Sequence, residues 1–390
     1  MISSGFDFRP HTRLVFGNNS IERLGELARE LGITRILVVT DPGIVAAGHV
    51  DRAGAALRSA GVELALFDRV RENPTARDVE ACRDLARDER IDGLLGLGGG
   101  SSIDTARGAN FLLTNGGRMH DYWGVGKATR PMLPLIAAPT TAGTGSECQS
   151  FALIADDETH QKMACGDPKA AARIALLDPT LTVSQPRHVT HATGIDAVAH
   201  AVESAVTRKR NAISVLFARE AFRLTAGALE RVLEQPDDLE SRARMQLGAA
   251  YAGLAIENSM LGAAHSAANP LTAHHGTVHG IAVGLMLPQV VRFNAAEPQA
   301  RETYRDLAVL AGIAAPDAPA EEAVERLVSR LEALLRLGSE TSAVPAGEVD
   351  VELLAGEAAA QWTARFNPRE IGAAEFATLY RAVLGAGAGV

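Results

Sequence analysis

Two histidine-bearing stretches hold the residue types best suited to chemistry. T-G-I-D-A-V-A-H at 193–200 sets Asp196 and His200 four positions apart. H-S-A-A-N-P-L-T-A-H-H-G-T-V-H-G at 265–280 adds His265, His274, His275 and His279, four of the chain's 11 histidines. Residues 193–208 carry few helix breakers, and Ile195, Val198, Val202 and Val206 recur at helical spacing, which predicts a helix. Positions i and i+4 project from one helix face, so the Asp196 carboxylate and the His200 imidazole would share it. One carboxylate with several imidazoles suits a divalent first-row metal, iron or zinc. The plainer alternative makes His200 a hydrogen-bonded core residue and the later histidines a polar loop. The pattern alone leaves both open.

Two further stretches suit an anionic cofactor. G-L-G-G-G-S-S-I-D at 96–104 follows a strand pattern and opens a helical one. Gly98, Gly99 and Gly100 permit close backbone approach, and Ser101 and Ser102 sit where N-cap residues are expected. The helix N-terminus offers free N–H groups to a phosphate. The spacing is not G-x-G-x-x-G in the first βα position, so the usual dinucleotide fingerprint is not literally met. P-T-T-A-G-T-G-S-E at 139–147 also follows an apolar strand, with Thr140, Thr141, Thr144 and Ser146 as neutral hydroxyl donors. Asp41 ends another strand. A carboxylate there can accept from both hydroxyls of an adenosine ribose and repel a 2′-phosphate, favouring NAD over NADP; a turn or helix-start aspartate is the alternative. N-P-T at 73–75 reads as a turn with a helix cap, and Trp123 as pocket wall or core.

Such residues need a large scaffold to hold them. At 390 residues the chain exceeds what one core supports, and two domains are expected. A composition 47% hydrophobic and 22% charged is enough to build both cores and argues against disorder. A net charge of −9, with no basic run beyond R-K-R at 208–210, argues against a nucleic-acid partner. No apolar run approaches the length of a membrane span. The opening M-I-S-S-G-F-D-F-R-P carries neither a signal h-region nor a basic presequence. Cys82, Cys148 and Cys165 are unevenly spaced, which suggests neither a disulfide framework nor a cysteine metal site. A cytoplasmic protein is the expectation.

Strand patterns at 12–16, 35–40, 62–67, 93–97 and 133–138 alternate with helical ones at 50–60, 76–87 and from 101–104 onward. That alternation predicts α/β units and a mostly parallel sheet. Asn19 and Glu22 are spaced as a capping box for an earlier helix. Residues 150–178 read as extra strands or loops. Beyond Pro186 the patterns are helical almost throughout, near 193–208, 211–233, 239–262, 278–292, 300–311 and 319–337, with two more towards the C-terminus. The first part of the histidine segment reads as broken by Gly and Pro. P-D-A-P-A at 316–320 and the alanine- and glycine-rich tail are the only biased segments. The boundary is expected in P-T-L-T-V-S-Q-P-R, giving an α/β domain over 1–184 and an all-helical one over 185–390.

Taken in order, T-D-P-G at 40–43, N-P-T, G-G-G-S-S-I-D-T-A-R at 98–107, P-T-T-A-G-T-G-S-E, G-I-D-A-V-A-H-A-V-E at 194–203, the histidine segment closing on H-G, and N-P-R at 367–369 resemble the iron-containing (group III) alcohol dehydrogenase family. Its lactaldehyde–propanediol oxidoreductase-type members are the nearest in kind. The resemblance implies a Rossmann-like NAD-binding domain followed by an all-helical one, an architecture shared with dehydroquinate synthase. By the family's motifs, Asp196, His200, His265 and His279 are ligands of a divalent metal, Fe(II) first and Zn(II) second. Gly98, Gly99, Ser101 and Ser102 fall on the pyrophosphate, with Asn73 and Asp104 in the same cofactor group. Thr140, Thr141 and Thr144 fall on the nicotinamide side, and Asp41 on the adenosine ribose. Phe151 and Ile256 match substrate-pocket positions where diol-oxidising members carry a polar and an aromatic residue, so a small polyol is not an easy substrate.

Two departures stand out. Asn269 replaces a histidine implicated in proton transfer, and an amide takes up no proton at neutral pH. Either the relay runs through cofactor ribose and water, or His274 or His275 substitutes. Arg107 stands where lysine is common, keeping the charge with a different donor geometry. The implied activity is reversible hydride transfer between NAD(H) and a primary alcohol/aldehyde pair, in a homodimer. Alternatives are a glycerol or diol dehydrogenase, a reductase of acid-bearing aldehydes or ketones, and a cyclising synthase of the dehydroquinate type. A non-catalytic NAD-binding scaffold is disfavoured by the complete ligand set.

Overall fold

The run R-I-L-V-V at Arg35–Val39 shows how the first half of the chain is built. Successive side chains of a strand point to opposite faces. Ile36 and Val38 join a core with Leu27, Leu57 and Leu97, while Leu37 and Val39 join another with Val79, Ile103 and Leu112. A strand covered on both faces has no polar side, which is why the run is continuous. A computed structural model describes residues 5–158, 161–338 and 349–384. The first four residues of the opening segment and the alanine- and glycine-rich tail lie outside them. One compact unit spans Arg9–Gln185; the other comprises Met1–Phe8 with Pro186–Val390.

In the α/β unit, β1 (Arg13–Phe16), α1 (Leu24–Glu30), β2 (Arg35–Val39), α2 (Pro42–Ala46), α3 (His49–Ser59) and β3 (Glu63–Phe67) come first. They are followed by α4 (Ala76–Asp88), β4 (Gly93–Gly98), α5 (Gly100–Asn115), β5 (Gly124–Val125) and β6 (Leu135–Pro139). The unit closes with β7 (Phe151–Ala155), β8 (Lys162–Gly166) and β9 (Ile174–Leu177). Six strands pair in parallel in the order β1-β9-β6-β4-β2-β3, and β5, β8 and β7 form a small second sheet. The strand order reverses between β2 and β4, so the C-terminal ends of those strands form the crevice that open parallel sheets offer to ligands.

Three local expectations change. Asn19 does not cap a helix: it is left-handed (φ 60) before a 3-10 turn at Ser20–Arg23. The buried Asp178 carboxylate takes the nearby donors instead, accepting from the amides of Asn19 (2.9 Å) and Ile21 (3.1 Å). Ser101 and Ser102 lie inside the first turn of α5, whose N-cap is Gly99, because β4 runs to Gly98 and leaves one residue for the turn. Trp123 is 44% exposed and belongs to no core.

Arg107 holds the loop that follows β6. Its side chain has no exposed surface, and a buried guanidinium is tolerable only when its donors are satisfied. It donates to Asp104 Oδ1 (3.1 Å), Ser146 Oγ (3.1 Å), Ser146 O (2.9 Å), Gln149 O (2.9 Å), Ala170 O (3.0 Å) and Phe151 O. An ammonium with three donors could not reproduce that set. Within this loop Glu147 is 2% exposed. Burial, opposed by its own backbone N–H and by Arg107, pushes its carboxyl up to about 7.

The second unit runs α6 (Arg187–Ser204), α7 (Ala212–Glu234), α8 (Leu239–Ser259), α9 (Ala263–His275) and α10 (His279–Asn294). Then come α11 (Pro298–Leu310), α12 (Ala320–Arg336), α13 (Val351–Ala360) and α14 (Ala373–Leu384). Among its described residues there is no strand. The segment expected to be broken is the helix α9, with Pro270 inside it and Gly276 (φ 64) ending it in the left-handed region. Almost all of α6 from Thr190 to Ser204 is buried, so α6 is the axis on which its neighbours pack. Close approach depends on missing side chains: a Cβ on Gly280 would stand 2.0 Å from Ala192 O, and one on Gly284 2.5 Å from Ile195 Cγ2.

Two outcomes follow. A carboxyl raised on folding leaves stability intact below its unfolded value and lowers it as pH rises through the folded one. The rise of Glu147 from 4.5 to about 7 corresponds to about 3 kcal/mol. Urea unfolding should show stability falling from about pH 4.5 to pH 8 by up to that amount, with Glu147→Gln flattening the fall; an undiminished fall in the variant refutes the assignment. Gly280→Ala should cost about 1–3 kcal/mol, since a backbone oxygen cannot move aside. Gly356→Ala, on the open face of α13 where a Cβ meets nothing within 4 Å, should gain roughly 0.5–1 kcal/mol. Equal melting shifts in the two variants would contradict the packing account.

Candidate active site

The helical unit gathers three of its histidines around one carboxylate oxygen. Asp196 and His200 lie one turn apart on α6, His265 in the first turn of α9, and His279 is the first residue of α10. Asp196 Oδ1 stands 3.3 Å from His265 Nε2, 3.4 Å from His200 Nε2 and 3.9 Å from His279 Nε2. Asp196, His265 and His279 bring their ligand atoms within 4.8 Å of one another. His200 is outside that mutual set; its ring stacks on His265 at 4.7 Å while its Nε2 still meets the Asp196 oxygen. Ligand atoms about 2.1 Å from a tetrahedral ion lie roughly 3.4 Å apart, so these separations and this N/O donor set fit a divalent metal.

Electrostatics agree. Burial would raise the Asp196 carboxyl, but His200, followed by His265 and His279, outweighs it and holds the group well below the usual carboxylate range. Burial likewise opposes charge on His265. Its hydrogen bonds to Asp196 and Glu203 prevail and push it up to about 9. His265 is thus an imidazole between two carboxylates, with Glu203 Oε2 2.5 Å from Nδ1. Glu203 was not singled out from the sequence; its place seven residues after Asp196 on a helix was the available signal.

In the α/β unit, the cofactor candidates emerge at the C-terminal ends of three neighbouring strands. Asp41 follows β2, Gly98–Ser102 ends β4, and Thr140–Thr144 follows β6. Thr140 N–H donates to Gly98 O (3.0 Å), tying two of these loops together. Gly98 has φ 148, which a side chain would strain, and a Cβ on Gly100 would come within 2.9 Å of Thr144. Ser102 Oγ and Thr40 Oγ1 are buried without hydrogen-bond partners. A glycine cradle with the orphaned Ser102 hydroxyl against Gly98, at a helix N-terminus, fits a pyrophosphate. Asp41 Oδ1 caps α2 through the amides of Gly43 (2.8 Å) and Ile44 (3.1 Å), and Oδ2 faces Gly98. Asp104 is committed inward to Arg107, to Ser146 Oγ (2.7 Å) and to the Leu153 amide (3.2 Å). Asn73 is exposed in a left-handed turn (φ 52).

The remaining candidates are scattered. Asn269 lies one turn beyond His265 on α9, and its amide donates to Gln361 Oε1 (3.1 Å). His274 is exposed, its Nε2 2.8 Å from Glu357, and His275 is half-buried at the end of α9. Ile256 is buried on α8. Phe151 opens β7, its ring filling the space left by Gly166.

Comparison with known proteins bears on both units. A family model described as iron-containing alcohol dehydrogenase matches residues 11–179, and one described as the C-terminal part of the Fe-containing alcohol dehydrogenase family matches 190–384. The chain is 32% identical to the NAD-dependent methanol dehydrogenase of Bacillus methanolicus over 91% of this chain and 93% of that protein. It is also 32% identical to the 1,3-propanediol dehydrogenase of Klebsiella pneumoniae, over 96% and 98%. A crystal structure of 1,3-propanediol oxidoreductase superposes with a TM-score of 0.93 at 31% identity, covering 97% of this chain and all of that one. The chain therefore belongs to the iron-containing alcohol dehydrogenase family and is an oxidoreductase acting on alcohols or aldehydes.

Proposed function

We propose that the chain is a metal- and NAD-dependent alcohol dehydrogenase/aldehyde reductase acting on a primary alcohol/aldehyde pair. One observation carries this reading: the three histidine nitrogens gathered within 3.9 Å of Asp196 Oδ1. In it, residues 1–184 are the NAD-binding α/β domain and 185–390 the helical metal-binding and catalytic domain. Asp196, His200, His265 and His279 hold the ion, Fe(II) first and Zn(II) second. When bound, the ion supplies a Lewis acid for the substrate oxygen and NAD supplies the hydride carrier.

The chain's own residues then do the binding and orienting. Gly98, Gly99, Ser101 and Ser102 take the pyrophosphate through α5 amides and the Ser102 hydroxyl. Thr140, Thr141 and Thr144 line the nicotinamide side. Asp41 Oδ2 accepts from the ribose hydroxyls while Oδ1 keeps α2 capped. Asn269 offers an oriented amide, not a base, so the proton released on oxidation passes to water. If an imidazole takes the place of that water, it is His275 in preference to His274, which Glu357 engages. Phe151 and Ile256 are both apolar, which favours an unfunctionalised alcohol over a polyol. A cytoplasmic homodimer completes the reading.

His265→Ala should lose bound metal and turnover with NADH across a panel of short, long, aromatic and acid-bearing aldehydes, with helix content by circular dichroism retained. Full turnover in a metal-free His265→Ala protein would overturn the mechanism. Asp41→Asn keeps the cap, since Asn and Asp are equivalent N-caps, but removes the charge. Its NAD-over-NADP ratio of kcat/KM should fall about tenfold, the equivalent of roughly 1.4 kcal/mol, at unchanged melting temperature. An unaltered ratio would remove Asp41 from the ribose.

A further inference from the structure

The helix that carries His265 begins without a capping side chain of its own. Its N-cap is Gly262, and the first amides of any helix lack intrahelical acceptors. Here the acceptors come from elsewhere in the unit. Asn367 Oδ1 accepts from Ala263 N–H (3.4 Å), Glu203 Oε1 from Ala264 N–H (2.7 Å), and Glu203 Oε2 from the His265 amide (3.4 Å). A Cβ on Gly262 would lie 3.1 Å from both Glu203 Oε1 and Asn367 Oδ1, so the glycine makes room for them. Asn367 is itself fixed by a reciprocal amide pair with Asn294 (3.0 and 2.7 Å) and by Arg369 O (2.8 Å). This gives N-P-R at 367–369 a function in placing α9.

Glu203 does more than cap. The same Oε2 lies 2.5 Å from His265 Nδ1, and Glu203 is 3% exposed. A carboxylate accepts only, so Nδ1 carries a proton and donates it; Nε2 faces the Asp196 carboxylate and carries one as well until a metal displaces it, which leaves Nδ1–H as the tautomer of the bound form. The other ring nitrogen, Nε2, is then the one turned to Asp196 Oδ1 at 3.3 Å. The two oxygens serve the Ala264 amide and the imidazole separately; in this placement the amide of Gln would present N–H to one of those donors.

We propose that Glu203 is the positioning residue that sets metal affinity at this centre, by holding His265 in the Nδ1–H tautomer and pinning the start of α9. This rests on the reading that Asp196 and the three histidines bind a metal. Outer partners of this kind change affinity by about 10–100-fold when altered.

The test strips the full-length protein with a chelator and titrates Zn(II) against a chromophoric competitor. Wild type should bind, and Glu203→Gln should bind about 10–100-fold more weakly. If wild type takes up no Zn(II), the metal reading itself fails; if both bind equally, Glu203's role alone fails. Should Glu203→Gln not fold, Glu203→Asp, which withdraws the carboxylate by one methylene, takes its place with the same expected loss. Independently of any variant, histidine-selective 15N–1H correlation of the wild-type Zn(II) form should show the His265 proton on Nδ1. A proton on Nε2 overturns the proposal.

Discussion

The helical unit depends on one buried carboxylate. Asp196 is 5% exposed, and an isolated charge there would be costly. Positive or metal-ligating groups have to surround it. A single helix supplies His200, because i and i+4 share a face. The other two imidazoles must be brought in, and both come on the N-terminal turns of helices. His265 is the third residue of α9, with Glu203 against its amides; His279 is the first of α10, with the following Gly280 pressed to Asp196. Carboxylates on α6 thus meet the positive ends of two helix dipoles, each such contact stabilising by about 0.3–1 kcal/mol. The acidic face of α6 and the start of its neighbours determine one another.

The α/β unit meets a related difficulty with the opposite sign. The chain from Ser146 to Gln149 and on to Ala170 carries buried carbonyls that regular ladders do not absorb, and buried backbone oxygens need donors. Arg107, projecting from α5, supplies several at once, with Asp104 one turn earlier balancing its charge. The chain after β6 is therefore braced by the protein itself, and the Thr140 N–H to Gly98 O bond ties it to the glycine loop. A ligand entering there would meet formed walls, which lowers the ordering cost of binding.

Much of this was legible in the sequence where a local rule operates. Strands buried on both faces show as unbroken apolar runs, and D-x-x-x-H shows a shared helix face. The failures have physical causes as well. Helix α9 was hidden by Asn269-Pro270 and Gly262, because its stability comes from acceptors 61 and 104 residues distant in sequence and from packing, neither of which is a local propensity. Asn19 lost its expected cap to Asp178, 159 residues away. Ser101 and Ser102 were displaced by a single turn residue, since register at a tight turn follows the strand's true end, and periodicity leaves that end uncertain. Glu203 was in view within a quoted motif, but its part depends on a partner that only the fold brings to it.

Asn269 can be understood in these terms. A histidine one turn beyond His265 would share its face of α9 and could exchange a proton; an asparagine keeps the hydrogen bonding and gives up the titration. Gln361 accepts from its Nδ2, and that orients Oδ1 as an acceptor, so the position presents a fixed dipole whatever the pH. An amide pair of this kind suits holding a hydroxyl in place. In the proposed reaction, proton movement would then rest on groups other than this face of α9. His279 is the most exposed of the four, with 31% of its side chain accessible against 5–7% for Asp196, His200 and His265, and that is the side on which the buried centre meets solvent.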